Sequence, residues 1–151
     1  MSLQARVLRL LGAGILLGSC VDSPTSLEPV EPLIGATSVA VSLVESRSIP
    51  LDGLPRLAVS GTSGAVEITW ELENLACLTG VATAQQAGSV LQIELRQSLN
   101  PGIICAVRVA GYRYVTRVTG LAPGHYEVRL IGVTGSNPAV LAGRLPAVVL
   151  P

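Results

Sequence analysis

Val66, Ile68, Trp70 and Leu72 alternate with Glu67, Thr69, Glu71 and Glu73. Successive side chains of a strand point to opposite faces, so this period of two writes a β-strand with one apolar and one polar face. A strand of that kind must cover its apolar face with a second layer. The same period recurs along the chain. Val39, Val41 and Leu43 alternate with Ala40 and Ser42; Leu57 and Val59 make a short run. Leu91, Ile93 and Leu95 alternate with Gln92, Glu94 and Arg96, and Ile103, Cys105, Val107 and Val109 with Ala106 and Arg108. Tyr112 to Val118 is a further candidate, Tyr126, Val128 and Leu130 alternate with Glu127 and Arg129, and Val140 to Leu150 closes the series. Turn signals separate the runs at Ser60–Gly64, Asn100-Pro101-Gly102, Gly111, Ala122-Pro123-Gly124 and Gly135–Pro138. Seven to nine short strands with regular turns predict an all-β fold, a β-sandwich.

Composition sets what can fill that sandwich. The chain of 151 residues is 49% hydrophobic and 13% charged, enough apolar material for one domain with a real core. It has no Phe, one Trp and one His, so the core is predicted to be aliphatic. Formal charge is zero, which argues against nucleic acid as a partner. Every basic residue is an arginine; without lysine no Walker-type phosphate loop is complete.

The first twenty residues read as an address rather than as part of the fold. Arg6 and Arg9 give a positive start, and Leu10 to Leu17 is an apolar run broken only by small residues. Such a run is shorter than the roughly 20 residues needed to span a bilayer. Leu17-Gly18-Ser19-Cys20 resembles the lipobox of bacterial lipoproteins. The resemblance implies a signal helix cut after residue 19 and a diacylglycerol on Cys20, a stable membrane anchor once a second or third chain is added. Asp directly after the cysteine retains such proteins at the inner membrane; Val21 stands there, so the expected address is the outer membrane if the host is Gram-negative. Residues 20–36 read as the lipidated Cys and a tether, since Pro24, Pro29 and Pro32 favour extended chain. Fully extended, they would reach about 50 Å. Residues 37–151 are the expected β-sandwich domain.

Gly120-Leu121-Ala122-Pro123-Gly124-His125-Tyr126-Glu127-Val128 resembles the turn and strand near the end of extracellular Ig-like and prealbumin-like domains. The resemblance implies an Ig-like sandwich in which Tyr126 packs at a corner and its hydroxyl bonds the backbone. Val128 stands where an antibody domain carries its second Cys, so a true immunoglobulin is not implied. The isopeptide crosslink of pilin-type domains is excluded, because it needs a lysine.

Cys77 and Cys105 remain once Cys20 is assigned to lipid. In an oxidising compartment they are expected to form a disulfide. Closing a loop of about 29 residues would add about 3.5 kcal/mol in the chain-entropy picture. No CxxC occurs, and one His is too few for a metal centre, so no metal or cofactor is expected. His125 reads as an exposed turn residue. Ser63 in Gly61-Thr62-Ser63-Gly64 lacks the spacing of a nucleophile elbow. Glu67, Glu71 and Glu73 read as a solvated strand face. One cluster suits recognition: Arg108, Tyr112, Arg113, Tyr114, Arg117 and Arg129, since arginine with tyrosine can hold phosphate, carboxylate or sugar surfaces. The same residues also suit a solvated face with packed tyrosines.

The expected function is a non-enzymatic, lipid-anchored envelope module that binds protein or glycan. The alternatives are a structural accessory subunit of an envelope assembly, favoured by an exposed apolar patch or open edge, and an enzyme, favoured by a deep pocket holding His125 with a carboxylate or thiol.

Overall fold

The computed structural model describes residues 30–100, 102, 104 and 108–151. Among these residues there is no helix, and nine strands form two sheets. The strands are β1 (Thr37–Ser38), β2 (Val41–Ile49), β3 (Arg56–Thr62), β4 (Ala65–Leu75), β5 (Leu78–Ala87), β6 (Val90–Leu99), β7 (Val109–Thr119), β8 (Gly124–Thr134) and β9 (Val140–Val149). A five-stranded sheet has the order β1-β5-β6-β8-β9 and a four-stranded sheet the order β2-β7-β4-β3. All neighbours are antiparallel except β6 and β8, which run parallel inside the larger sheet. The all-β sandwich expected from the period of two is the fold observed.

The inward residues of β4, Val66, Ile68 and Trp70, are buried as their alternation requires, and Leu91, Ile93, Leu95, Val128 and Leu130 meet them from the other sheet. Aliphatic side chains dominate, each contributing about 1.5–3 kcal/mol when fully buried. Trp70 and Tyr114 are the largest core residues; the Trp70 indole donates to Thr116 Oγ1 at 3.2 Å, so its one polar atom is satisfied.

Several local features differ from the sequence reading. β5 had no apolar signal: its core-facing positions are Leu78, Gly80, Ala82 and Ala84, and Val81 points out to solvent. Gly80 has a cause, since a Cβ there would lie 3.0 Å from the Tyr114 ring. Gly111, read as a turn, lies inside β7, where a Cβ would press on the backbone oxygens of Ile49 and Pro50. His125 is the second residue of β8 rather than a turn residue, and it is exposed. Part of the run from Ile103 to Val107 lies outside the described residues; within it Ile104 is 98% exposed, and β7 begins only at Val109.

The seam between β3 and β9 closes one end of the sandwich and leaves the other open. The two strands run in the same direction, one from each sheet. Their C-terminal ends are tied: Gly64 N donates to Leu150 O at 3.3 Å, Leu150 N to Thr62 O at 3.1 Å, and Ser63 bridges Leu150. A Cβ on Gly61 would collide with the Val148 backbone, so glycine permits this approach. At the N-terminal ends, near Pro55 and Val140, a cleft lies between the sheets. β1 and β2 cross between sheets by a different device. Val39 N bonds Ala84 O in one sheet, and Ala40 O accepts from Thr119 N in the other.

Candidate functional site

The register of the four-stranded sheet places its outward residues in ranks. Arg56, Glu71, Arg113 and Arg47 stand side by side across β3, β4, β7 and β2. The next rank is Ala58, Thr69, Val115 and Glu45, and the third is Ser60, Glu67, Arg117 and Ser42. Two arginine-bearing ranks therefore flank a strip with small or apolar side chains at its centre.

Glu71 organises the first rank. It is only 6% exposed, unlike the solvated carboxylate expected from alternation. Arg113 Nε donates to its Oε1 at 2.7 Å and Arg113 Nη2 bonds the same oxygen. Arg56 Nη1 stands 3.7 Å from Oε2. Burying a carboxylate alone is costly, so two guanidinium groups are the condition for its being there. Arg56 is fixed further by the backbone oxygens of Gly53 (3.0 Å) and Asp52 (3.1 Å), which hold its side chain over the start of β3. Arg47 bonds Glu45 along its own strand, and Arg117 lies 3.9 Å from Glu67. Arg47 and Arg56 stay more than half exposed as side chains. Shallow hollows beside this rank are lined by Arg47, Arg56, Glu71 and Arg113.

The six residues read as one recognition cluster divide between locations. Arg113 and Arg117 point outward from β7. Tyr112 and Tyr114 point inward, as the period of two requires for alternate positions. Tyr114 is fully buried and Tyr112 stacks on it at 6.1 Å. Tyr112 donates to Ala76 O at 3.1 Å, and Tyr114 accepts from Asn74 Nδ2 at 3.2 Å. Burial pushes the Tyr114 hydroxyl above the usual tyrosine range, and the bond from Asn74 offsets part of that. Arg108 is exposed in the connection before β7. Arg129 lies on the other sheet and donates to Glu127 at 2.7 Å. That bond, with the nearby charges of Arg129 and Arg144, holds the Glu127 carboxyl below its ordinary range. Arg47, Arg56 and Glu71, absent from the sequence cluster, complete the rank instead; only the strand register reveals them.

His125 shares a shallow hollow with Ser89 and Glu127. The Glu127 carboxylate there is held by arginine, and no side-chain hydrogen bond joins His125 to either neighbour. Among the described residues no three His, Cys, Asp or Glu side chains gather as a metal site. No helix among them is long and apolar enough to cross a membrane. Cys77 is half-buried in the turn between β4 and β5. Cys20 and Cys105 lie outside the described residues, as do the lipobox and the first part of the tether. Tyr126 donates to Ala122 O at 2.9 Å, four residues back, as the resemblance at Gly120–Val128 implied.

These features define a two-sheet β-sandwich with an arginine-ranked outer face. No family model, curated protein or solved structure matches the chain.

Proposed function

We propose that this chain is an exported, lipid-anchored envelope protein whose sandwich is a non-enzymatic binding module. The outer face of the four-stranded sheet is its recognition surface. The observation that carries the reading is the rank Arg56–Glu71–Arg113–Arg47, running across four strands, with exposed guanidinium groups at both ends. Glu71 stands in the rank and Glu45 and Asp52 lie beside it, so three carboxylates accompany its three arginines. Donors and acceptors are therefore mixed on this face. That suits a protein or glycan surface rich in both, and it does not suit a polyanion.

The anchor belongs to the same proposal: a signal over 1–19, lipid on Cys20, and an outer-membrane address in a Gram-negative host. Val30 and Glu31 lie against the five-stranded sheet beside Gln92, Arg129 and Ile131, so only part of the tether is available as an arm. A Cys77–Cys105 disulfide also belongs here. Ala76, next to Cys77, donates its N–H to Arg108 O at 3.0 Å, and Arg108 follows Cys105 by three residues. The Tyr126 corner supports kinship with Ig-like domains.

The test is photo-crosslinking in the intact host, with the reactive residue placed at Ala58 in the central strip or at Thr83 on the other sheet. Adducts are expected from Ala58 and not from Thr83, and they should be lost when Arg47→Ala and Arg56→Ala are added. Equal adducts from both positions would contradict the assignment.

A further inference from the structure

The cleft between the N-terminal ends of β3 and β9 is separate from the arginine ranks and has the dimensions of a small-molecule site. Its volume is about 510 Å³, within the roughly 300–1,000 Å³ typical of ligand pockets. Leu72 of β4, Leu95 of β6 and Val140 of β9 make its walls mainly apolar. Gln97 of β6 lines the same space and is 5% exposed. Its Oε1 accepts from Thr134 Oγ1 at 3.2 Å. Its Nε2 is buried without a hydrogen-bond partner among the described residues. The Gln97 amide acts on the Tyr114 hydroxyl as a donor would, lowering its pKa, yet the approach of Nε2 falls outside hydrogen-bond geometry and leaves its N–H open to a better acceptor. An amide donor left unpaired in an apolar space is costly, and an oxygen placed there would satisfy it.

Two further residues shape the site. Gly132 of β8 lines the cleft, and a Cβ there would meet nothing within 4 Å, so no packing neighbour explains the missing side chain. Glycine at this point keeps the space open. Among the described residues lining the cleft Glu73 alone is charged; it is exposed, and its carboxylate places a negative charge at the mouth. We propose that this cleft binds an uncharged, mainly apolar small molecule that carries a carbonyl or similar oxygen acceptor. The oxygen takes the free N–H of Gln97, the apolar body fills the space between Leu72, Leu95 and Val140, and Glu73 disfavours anions.

The probe is Nile red, an uncharged dye with a carbonyl oxygen whose emission brightens in apolar surroundings. It is titrated into the full chain and into variants whose thermal unfolding shows that they fold. One saturable site is expected. Gly132→Leu fills the cleft from within and should weaken that site at least about tenfold. Val140→Trp, which obstructs the mouth, should do the same if Gly132→Leu fails to fold. Gln97→Leu keeps the shape but removes the donor, and should weaken the dye roughly three- to tenfold, the loss of one hydrogen bond. An anionic dye, 8-anilinonaphthalene-1-sulfonate, should bind more tightly to Glu73→Gln than to the unaltered chain. Absence of a saturable site, or a site untouched by both cleft-filling variants, would overturn the proposal. Undiminished binding by Gln97→Leu would overturn the role given to its amide.

Discussion

The two ends of this sandwich are built on different principles. At one end, β3 and β9 are drawn together by main-chain hydrogen bonds through Gly64, Thr62 and Leu150, over Val66, Val118, Leu121 and Val149. At the other end the same strands stand apart, and the interior carries Asn74, Tyr114 and Gln97 beside a cleft. The sealed end is mainly aliphatic, and at Gly61 it has no room for an added Cβ. The open end holds buried polar groups, one of them unpaired. Sealing by backbone bonds and apolar burial stabilises without leaving room for a ligand. Polar groups around unfilled space give up stability for recognition, a pattern expected of sites rather than of cores.

Substitutions at the two ends should therefore behave oppositely. The largest effect is expected at the seam. Gly61→Ala forces a Cβ into the Val148 backbone and should cost about 3 kcal/mol in urea unfolding. The equivalent addition at the open end, Gly132→Ala, meets no neighbour and should change stability by less than about 0.5 kcal/mol. Similar losses at both glycines would break the comparison.

Tyr114→Phe comes next. It leaves the buried Asn74 amide without its partner and should cost about 1–2 kcal/mol at neutral pH. It should also change the alkaline limb. Burial raises the folded Tyr114 pKa, so the unfolded chain ionises first, near pH 10. Stability contributed by the neutral phenol is intact below that pH and is lost as pH rises through the folded value. Tyr114→Phe should flatten this loss, read as unfolding midpoints from pH 8 upward. At the sealed end, Tyr126→Phe removes only the bond to Ala122 O and should cost about 1 kcal/mol. The smallest change is expected for Gln97→Leu, within about 0.5 kcal/mol of the parent or slightly more stable, because it removes an unpaired buried donor and only one bond, from the exposed Thr134 hydroxyl, which water can replace.

Most of the sealed end was legible in the sequence. The β4 alternation gave its faces correctly, and the Leu121 to Tyr126 motif gave the corner hydroxyl bond. The open end was not. β5 escaped because Gly80, Ala82 and Ala84 replace the apolar residues that announce a strand, and at Gly80 the Tyr114 ring occupies the space from across the core. Gly111 imitated a turn because close approach to β2 and tight turning both require glycine. Glu71 looked solvated because alternation gives a residue's face but not its neighbours. Its burial depends on the register that brings Arg113 and Arg56 beside it. Gln97 carried no signal at all, since an amide in a strand becomes informative only once its surroundings close around it.

Cys77 stands at the open end, in the β4–β5 turn, so the proposed disulfide would brace the half of the molecule that main-chain sealing leaves apart. It also joins the fold to the address, because a stable bridge requires an oxidising compartment. The most direct test of an exported, lipid-anchored module is the intact mass of the protein extracted from host membranes, with thiols alkylated before and after reduction. The expected result is residues 20–151 plus lipid, with two thiols alkylated only after reduction. A chain still carrying residues 1–19, with Cys77 and Cys105 alkylated without reduction, would contradict it.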